Sequence, residues 1–166
     1  MTEADTGMIT EGEEQGTAEP DPGAAFDRSP MRLVELRGIE VQLPSTNPTL
    51  VFDEVDPPRR ELRITIGQTE GIAIAYALRR IDTPKPLTHD LFRSVLEAFG
   101  VSVDVVRITA VSGTSFSAEL VLTGRTGTRV VECRPSDALA LALRQPVPVP
   151  IMVAPDVMDQ VGAVEL

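Results

Sequence analysis

Eight residues from Thr69, TEGIAIAY, are echoed position by position by eight from Ser136, SDALALAL, at an offset of 67. Both octets read hydroxyl, acid, small residue, branched aliphatic, alanine, branched aliphatic, alanine, large apolar residue. Each follows a strand-like segment and precedes a proline-marked connection. Beyond those connections THDLFRSV (88–95) corresponds to APDVMDQV (154–161) at an offset of 66, sharing Asp90/Asp156 and Val95/Val161. Two copies are too few for a solenoid, which needs three or more. The expectation is one internally duplicated domain built on a strand–helix–helix unit. Its two alanine-rich helices could pack with axes near the lower end of the ~8–10 Å range. Chance likeness between two Ala/Leu helices is the alternative.

The octets are ambiguous alone, because Ile-Ala-Ile-Ala also has the period of a strand. Alanine content and a Thr-Glu start favour helix, with Thr69 as N-cap and Glu70 at the positive helix end. The first helix is apolar nearly all round from Gly71 to Leu78, which predicts burial. Ahead of it, MRLVELRGIEVQL reads as a strand with a possible bulge at Gly38, TLVFDEV as a second and RELRITIG as a third. Together they predict a β-meander. LTHDLFRSVLEAFG places Leu87, Leu91, Phe92, Val95, Leu96 and Phe99 on one helical stripe, with Gly100 as stop signal. VSVDVVRITAV predicts a strand whose phase flips between Val105 and Val106. SFSAELVL and TRVVEC form a hairpin signal around GRTG (124–127). RPSDALALALR predicts a helix, VPVPIMV a short strand, and PDVMDQVG a last helical turn or two. The fold class expected is α+β, with a mixed, largely antiparallel sheet and buried Ala/Leu-rich helices.

Charge divides the chain in two. Residues 1–30 hold eight acids against Arg28, whereas the remainder holds 17 acids against 14 bases. The first segment predicts a disordered acidic tail, since it cannot bury enough apolar surface to offset its ordering entropy. The domain expected from 31 to 166 is only mildly acidic. Lys85 is the only lysine and the arginines are scattered, so no basic stripe marks a high-affinity duplex binder. Nucleic acid is a possible partner that charge does not support. Cys133 is the only cysteine, which excludes an intrachain disulfide and suits a reducing cytoplasm. The first residues have neither the basic nor the apolar region of a signal peptide, and no apolar stretch approaches the ~20 residues that span a bilayer.

TEGIAIAYAL, the proline-flanked PLTHDL, GTSFSAELVL and above all RPSDALALALR, in that order, resemble the bifunctional nuclease domain family, long catalogued as a domain of unknown function. The resemblance runs from about Met31 to Gly162. Departures are Glu132-Cys133 where the family more often carries Asp-Ala, Gly71 where alanine is usual, an extra residue in GTSFSA, and Val149-Pro150 before the last strand. The resemblance implies metal-assisted RNase and DNase activity, a mixed-sheet α+β fold and a homo-oligomer.

Phosphodiester hydrolysis needs carboxylates to hold divalent metal and donors for charge developing on phosphate. The catalytic candidates are Glu70, Asp90 and Asp137, each in the first turn of a predicted helix, together with His89. Glu70 and Asp137 are the candidate ligands for Mg²⁺ or Mn²⁺. Arg134 could clamp a phosphate bidentately, and Thr69 and Ser136 are candidate substrate-binding hydroxyls. Each has a plainer role: Thr69 and Ser136 as caps, the acids as dipole partners, Arg134 in an ion pair with Asp137, and His89-Asp90 as a capping pair. Cys133 reads as a buried inert thiol. The glycines form neither dinucleotide nor Walker patterns. Two other readings stay open: a non-catalytic oligomeric interaction or regulatory module, and a small-molecule binder or enzyme with an apolar pocket between the duplicated halves.

Overall fold

The computed structural model describes residues 30–164; the acidic segment expected over 1–30 lies outside it except for Pro30. Three antiparallel strands open the domain, β1 (Arg32–Val41), β2 (Pro48–Glu54) and β3 (Arg60–Thr65), followed by the helices α1 (Gln68–Leu78) and α2 (Thr88–Ala98). A second meander follows, β4 (Ser102–Ser112), β5 (Ser115–Gly124) and β6 (Gly127–Cys133), leading into α3 (Pro135–Ala142). The short β7 (Ile151–Val153), α4 (Pro155–Val161) and β8 (Ala163–Val164) complete the described chain. The predicted α+β class holds.

The duplication reaches further than the octets showed. β2, β3 and α1 begin at residues 48, 60 and 68, and β5, β6 and α3 at 115, 127 and 135, each pair 67 apart. The unit is therefore three strands and a helix followed by a second helix. Its copies differ in their hairpins: β2 has 7 residues and β5 has 10. The second hairpin turns through Arg125 and Thr126 alone, with Gly127 at a φ of 101° that only glycine adopts readily.

All eight strands join one sheet in the order β6-β5-β4-β7-β1-β2-β3-β8. β7 stitches the two meanders together, parallel to β4 and antiparallel to β1. The bulge expected at Gly38 is present, because the register of β1 on β2 shifts between Leu36 and Gly38. In β4 the shifts fall at Asp104 and Thr109 instead of between Val105 and Val106. The alternation there was too blurred by consecutive valines to locate them.

One face of the sheet carries the core. Leu50, Phe52, Leu62 and Ile64 alternate inward along β2 and β3, and pack with Ile108, Leu139 and Met158. α3 is the central helix, with every residue buried but Asp137. It packs on β4 and β5, while α1 and α2 lie against it. Burying a leucine such as Leu139 stabilises the fold by about 1.5–3 kcal/mol. The opposite face of β1–β3 is polar, where Arg37 pairs with Asp53 and Glu61, and Arg63 with Glu61 and Glu40.

α1 is not buried all round as its composition predicts. Only Gly71 and Ile74 are buried, and Ile72 is exposed. Residues two apart on a helix point about 200° away from each other, so Ile72 and Ile74 cannot share a face. Gly71 has a steric reason: a Cβ there would stand 2.4 Å from the Pro48 ring. Its absence lets α1 settle on β2. The apolar stripe of α2 is likewise uncovered, with Leu91, Phe92, Val95 and Phe99 exposed and only Leu96 packed against the core. Among the described residues, no helix is long and apolar enough to cross a membrane.

Candidate functional site

The start of α1 and the start of α3 meet, and one arginine joins them. Arg134, the N-cap residue of α3, donates from Nε to Asp137 Oδ2 at 2.7 Å and from Nη2 to Asp137 Oδ1 at 3.0 Å. Its Nη1 donates to Glu70 Oε1 at 2.7 Å. Two carboxylates from the two repeats thus share one guanidinium. His89 closes the third side from the first turn of α2, its Nε2 3.6 Å from Asp137 Oδ1. Thr69, Glu70, His89, Arg134 and Asp137 line one cleft of about 400 Å³, whose apolar wall includes Ile72 and Leu87.

Local chemistry fixes these groups. Glu70 is held below the usual carboxylate range first by its own backbone N–H at the helix start, then by Arg134. Gly67 makes this possible, because a Cβ there would lie 2.3 Å from Glu70 Oε2. Asp137 and then Glu70 raise the Arg134 pKa, keeping the guanidinium charged. Its side chain is still 63% exposed, so the group faces solvent across the cleft mouth. Cys133 lies behind it, half-buried, and burial pushes its thiol up to about 11, as an inert thiol requires.

Three sequence-predicted roles change. Thr69 is not the cap of α1: the N-cap is Gly67, and no side chain caps that end. Ser136 is not a cap either, since the helix starts from Arg134 with Pro135 next, a residue suited to the first helical position. Ser136 is buried and is not among the residues lining the cleft. His89 and Asp90 are not a capping pair. Asp90 alone caps α2, accepting from the Leu87 N–H at 2.9 Å, while His89 looks into the cleft.

Asp90 stands apart from the other candidates, behind the cleft wall. Burial opposes its ionisation, but the Arg144 guanidinium and the Leu87 N–H prevail and hold it below the usual range. Sequence reasoning missed Arg144. Its Nε donates to Asp90, its Nη1 to Ala140 O at 2.8 Å and its Nη2 to Ala73 O at 3.1 Å. One nearly buried side chain therefore ties α1, α2 and α3 together. Only its place at the end of RPSDALALALR hinted at such a role.

Among the described residues, no group of three or more His, Cys, Asp and Glu is placed to hold a metal ion. A closed cage is therefore not the arrangement here. The two carboxylates at the cleft, Glu70 and Asp137, are both engaged by the Arg134 guanidinium.

The family model for the bifunctional nuclease domain matches residues 50–165, from β2 to beyond β8. The chain belongs to the bifunctional nuclease domain family. An uncharacterized protein of Mycobacterium tuberculosis is 40% identical over 129 residues, covering 78% of this chain and 75% of its own length. Two of the rice relatives are named as bifunctional nucleases. Bifunctional nuclease 1 of Oryza sativa subsp. indica is 30% identical over 93 residues, or 54% of this chain. Bifunctional nuclease 2 of Oryza sativa subsp. japonica is 24% identical over 132 residues, or 78% of this chain. These alignments span 28% and 41% of the rice proteins, so each rice chain has much sequence beyond the shared domain.

Proposed function

We propose that this domain hydrolyses phosphodiester bonds in RNA or DNA at the cleft between the starts of α1 and α3. The observation that carries the reading is the Arg134 guanidinium between Glu70 and Asp137, with His89 beside them. Family membership supports it, through the nuclease names of the rice relatives.

Each residue has a task suited to its chemistry. Arg134 is the phosphate clamp: its fork satisfies two carboxylates in the free protein, and a substrate phosphate would compete for the same donors. Glu70 and Asp137 would hold Mg²⁺ or Mn²⁺, which would supply Lewis-acid polarisation of the phosphoryl oxygen. Water adds its oxygen to phosphorus and gives up a proton to solvent. His89, whose Nε2 lies 3.6 Å from Asp137 Oδ1, can pass its Nε2 proton to the leaving oxygen as that P–O bond breaks. Thr69 offers a hydroxyl at the rim. Ile72 and Leu87 give one wall an apolar surface. A cytoplasmic location suits the free thiol of Cys133.

The test is cleavage of labelled single-stranded RNA and DNA by highly purified protein, with Mg²⁺ or Mn²⁺ and with EDTA. Metal-dependent cleavage that disappears in the Asp137→Asn protein supports the reading. Cleavage that persists in that variant belongs to a contaminant and refutes it.

The interaction-module reading draws on a different observation, the exposed stripe of Leu91, Phe92, Val95 and Phe99 on α2. It favours self-association of this chain through α2. Sedimentation velocity tests it: a Phe92→Glu, Phe99→Glu protein should run as monomer where the unmodified chain runs as an oligomer, and an unchanged distribution counts against it.

A further inference from the structure

A second cleft opens at the C-terminal ends of α1 and α3, beside the first half of α2. Its volume is about 300 Å³, and Tyr76, Arg80, Asp82, Asp90, Arg93 and Arg144 are among its lining residues. The three arginines come from the end of α1, the middle of α2 and the end of α3, so the sequence scatters what the fold gathers. Arg144 is consumed by Asp90 and two carbonyls. Arg80 and Arg93 are different: neither side chain makes a hydrogen bond or ion pair among the described residues, Arg93 acting on Asp90 only through its field. Asp82 offsets one of these two charges, and Asp90 is already neutralised by Arg144. The cleft therefore has cationic capacity to spare.

Its construction points to an anion. α1 ends in a turn where Ile81 N–H reaches Tyr76 O and Arg80 N–H reaches Ala77 O. Arg80 sits there at a φ of 50°, in the left-handed region that arginine rarely adopts. The turn brings Arg80 to the cleft beside Arg93. Two guanidiniums free to fork onto oxygens suit phosphate better than a carboxylate pair. Tyr76, the only tyrosine in the chain, adds an aromatic ring to the wall.

We infer that this cleft is a phosphate subsite for single-stranded nucleic acid, with Arg80 and Arg93 on the backbone and Tyr76 offering its ring to a base. The inference rests on the hydrolytic reading of the Glu70–Asp137 cleft and extends it. The two clefts share α1, and Glu70 and Leu78 are separated by about 12 Å of helix rise, a span of a few phosphates. A flexible strand can follow that path. A cationic groove combined with an aromatic platform is how sequence-tolerant single-strand binding is achieved.

The experiment measures fluorescence anisotropy of a short fluorescein-labelled oligothymidylate in EDTA, with thermal melts of every protein. The Arg80→Glu, Arg93→Glu protein should bind at least tenfold more weakly, with the salt dependence reduced by about one log–log unit. The milder Arg80→Gln, Arg93→Gln protein should fall between, and Asp137→Asn should not weaken binding. Hydrolysis of bis(p-nitrophenyl) phosphate, too small to span both clefts, should be unaffected by the arginine changes. Equal binding by the arginine variants overturns the inference, as does no binding by the unmodified protein. Inorganic phosphate competing as well as the oligonucleotide also overturns it, since the site would then be for a free anion. Arginine-dependent binding without cleavage in Mg²⁺ or Mn²⁺ supports the subsite and sinks only the hydrolytic reading.

Discussion

Arg134 and Glu70 are 64 residues apart in the chain, yet Arg134 Nη1 donates to Glu70 Oε1 at 2.7 Å. This bond joins the starts of the two equivalent helices, so the candidate site sits on the seam of the duplication. A single copy of the repeat holds one carboxylate of the pair.

Arg144 should matter more than its surface-type side chain suggests. Replacing it by leucine leaves Asp90 with the Leu87 N–H alone as donor and removes the guanidinium from the Ala73 and Ala140 carbonyls. A loss of about 2 kcal/mol is expected from the unsatisfied groups. Lysine should recover only part, because it cannot reproduce a planar fork. Urea denaturation of Arg144→Leu and Arg144→Lys proteins measures both.

Glu54 governs acid stability. It is buried at the end of β2, where Arg60 donates to it from Nε at 2.9 Å and Nη2 at 3.0 Å, and Arg32 from Nε at 2.5 Å. These bonds, Arg60 first, outweigh burial and lower its pKa from 4.5 to about 2. Because the folded pKa is depressed, the stabilisation is complete above pH 4.5 and is lost as pH falls from there through about 2. Glu54→Gln should cost about 3 kcal/mol at neutral pH and flatten that part of the acid limb. Urea midpoints taken between pH 7 and pH 2 test the direction and the window.

Gly67→Ala should separate activity from stability. The backbone at Gly67 has a φ of −70°, which alanine accepts, so melting should hardly move. The added methyl would displace the Glu70 carboxylate, a flexible group that moves cheaply. Phosphodiesterase activity should fall about tenfold or more, since misplacing a catalytic group by an ångström costs up to ~100-fold. Parallel melts and rate assays decide it.

Cys133 should resist labelling. With its thiol near 11, its thiolate fraction at pH 8 is lower by more than a hundredfold than that of a cysteine near 8.5. Reaction with a disulfide reagent should be correspondingly slow in native protein and fast in urea.

Most of the architecture was legible because period and punctuation agree over long stretches. The alternation of Leu62, Ile64 and Ile66, the turn at 124–127 and the glycine after α2 each point one way. The octet repeat placed Glu70 and Asp137 at matching helix starts, and the fold brings those starts together. Capping was misread at Thr69 and Ser136 because Gly67 and Arg134 take the N-cap positions without a capping side chain. Burial of α1 was overestimated because composition does not say how many sides of a helix have neighbours. Arg144 and the Arg80–Arg93 cleft were invisible for a common reason. Each depends on which helices pack together, and no local spacing encodes that.

The hydrolytic role of the Glu70–Arg134–Asp137 constellation is tested most directly by rates and melts on the same preparations of wild-type, Glu70→Gln and Asp137→Asn protein. The shared Arg134 side chain is mostly exposed, so solvent screens its ion pairs and each contributes about 1 kcal/mol; melting temperatures should shift only slightly. The account predicts that metal-dependent hydrolysis of bis(p-nitrophenyl) phosphate falls at least a hundredfold in both variants while they remain folded. Undiminished hydrolysis in either variant, or none by the wild-type protein in Mg²⁺ or Mn²⁺, would contradict it.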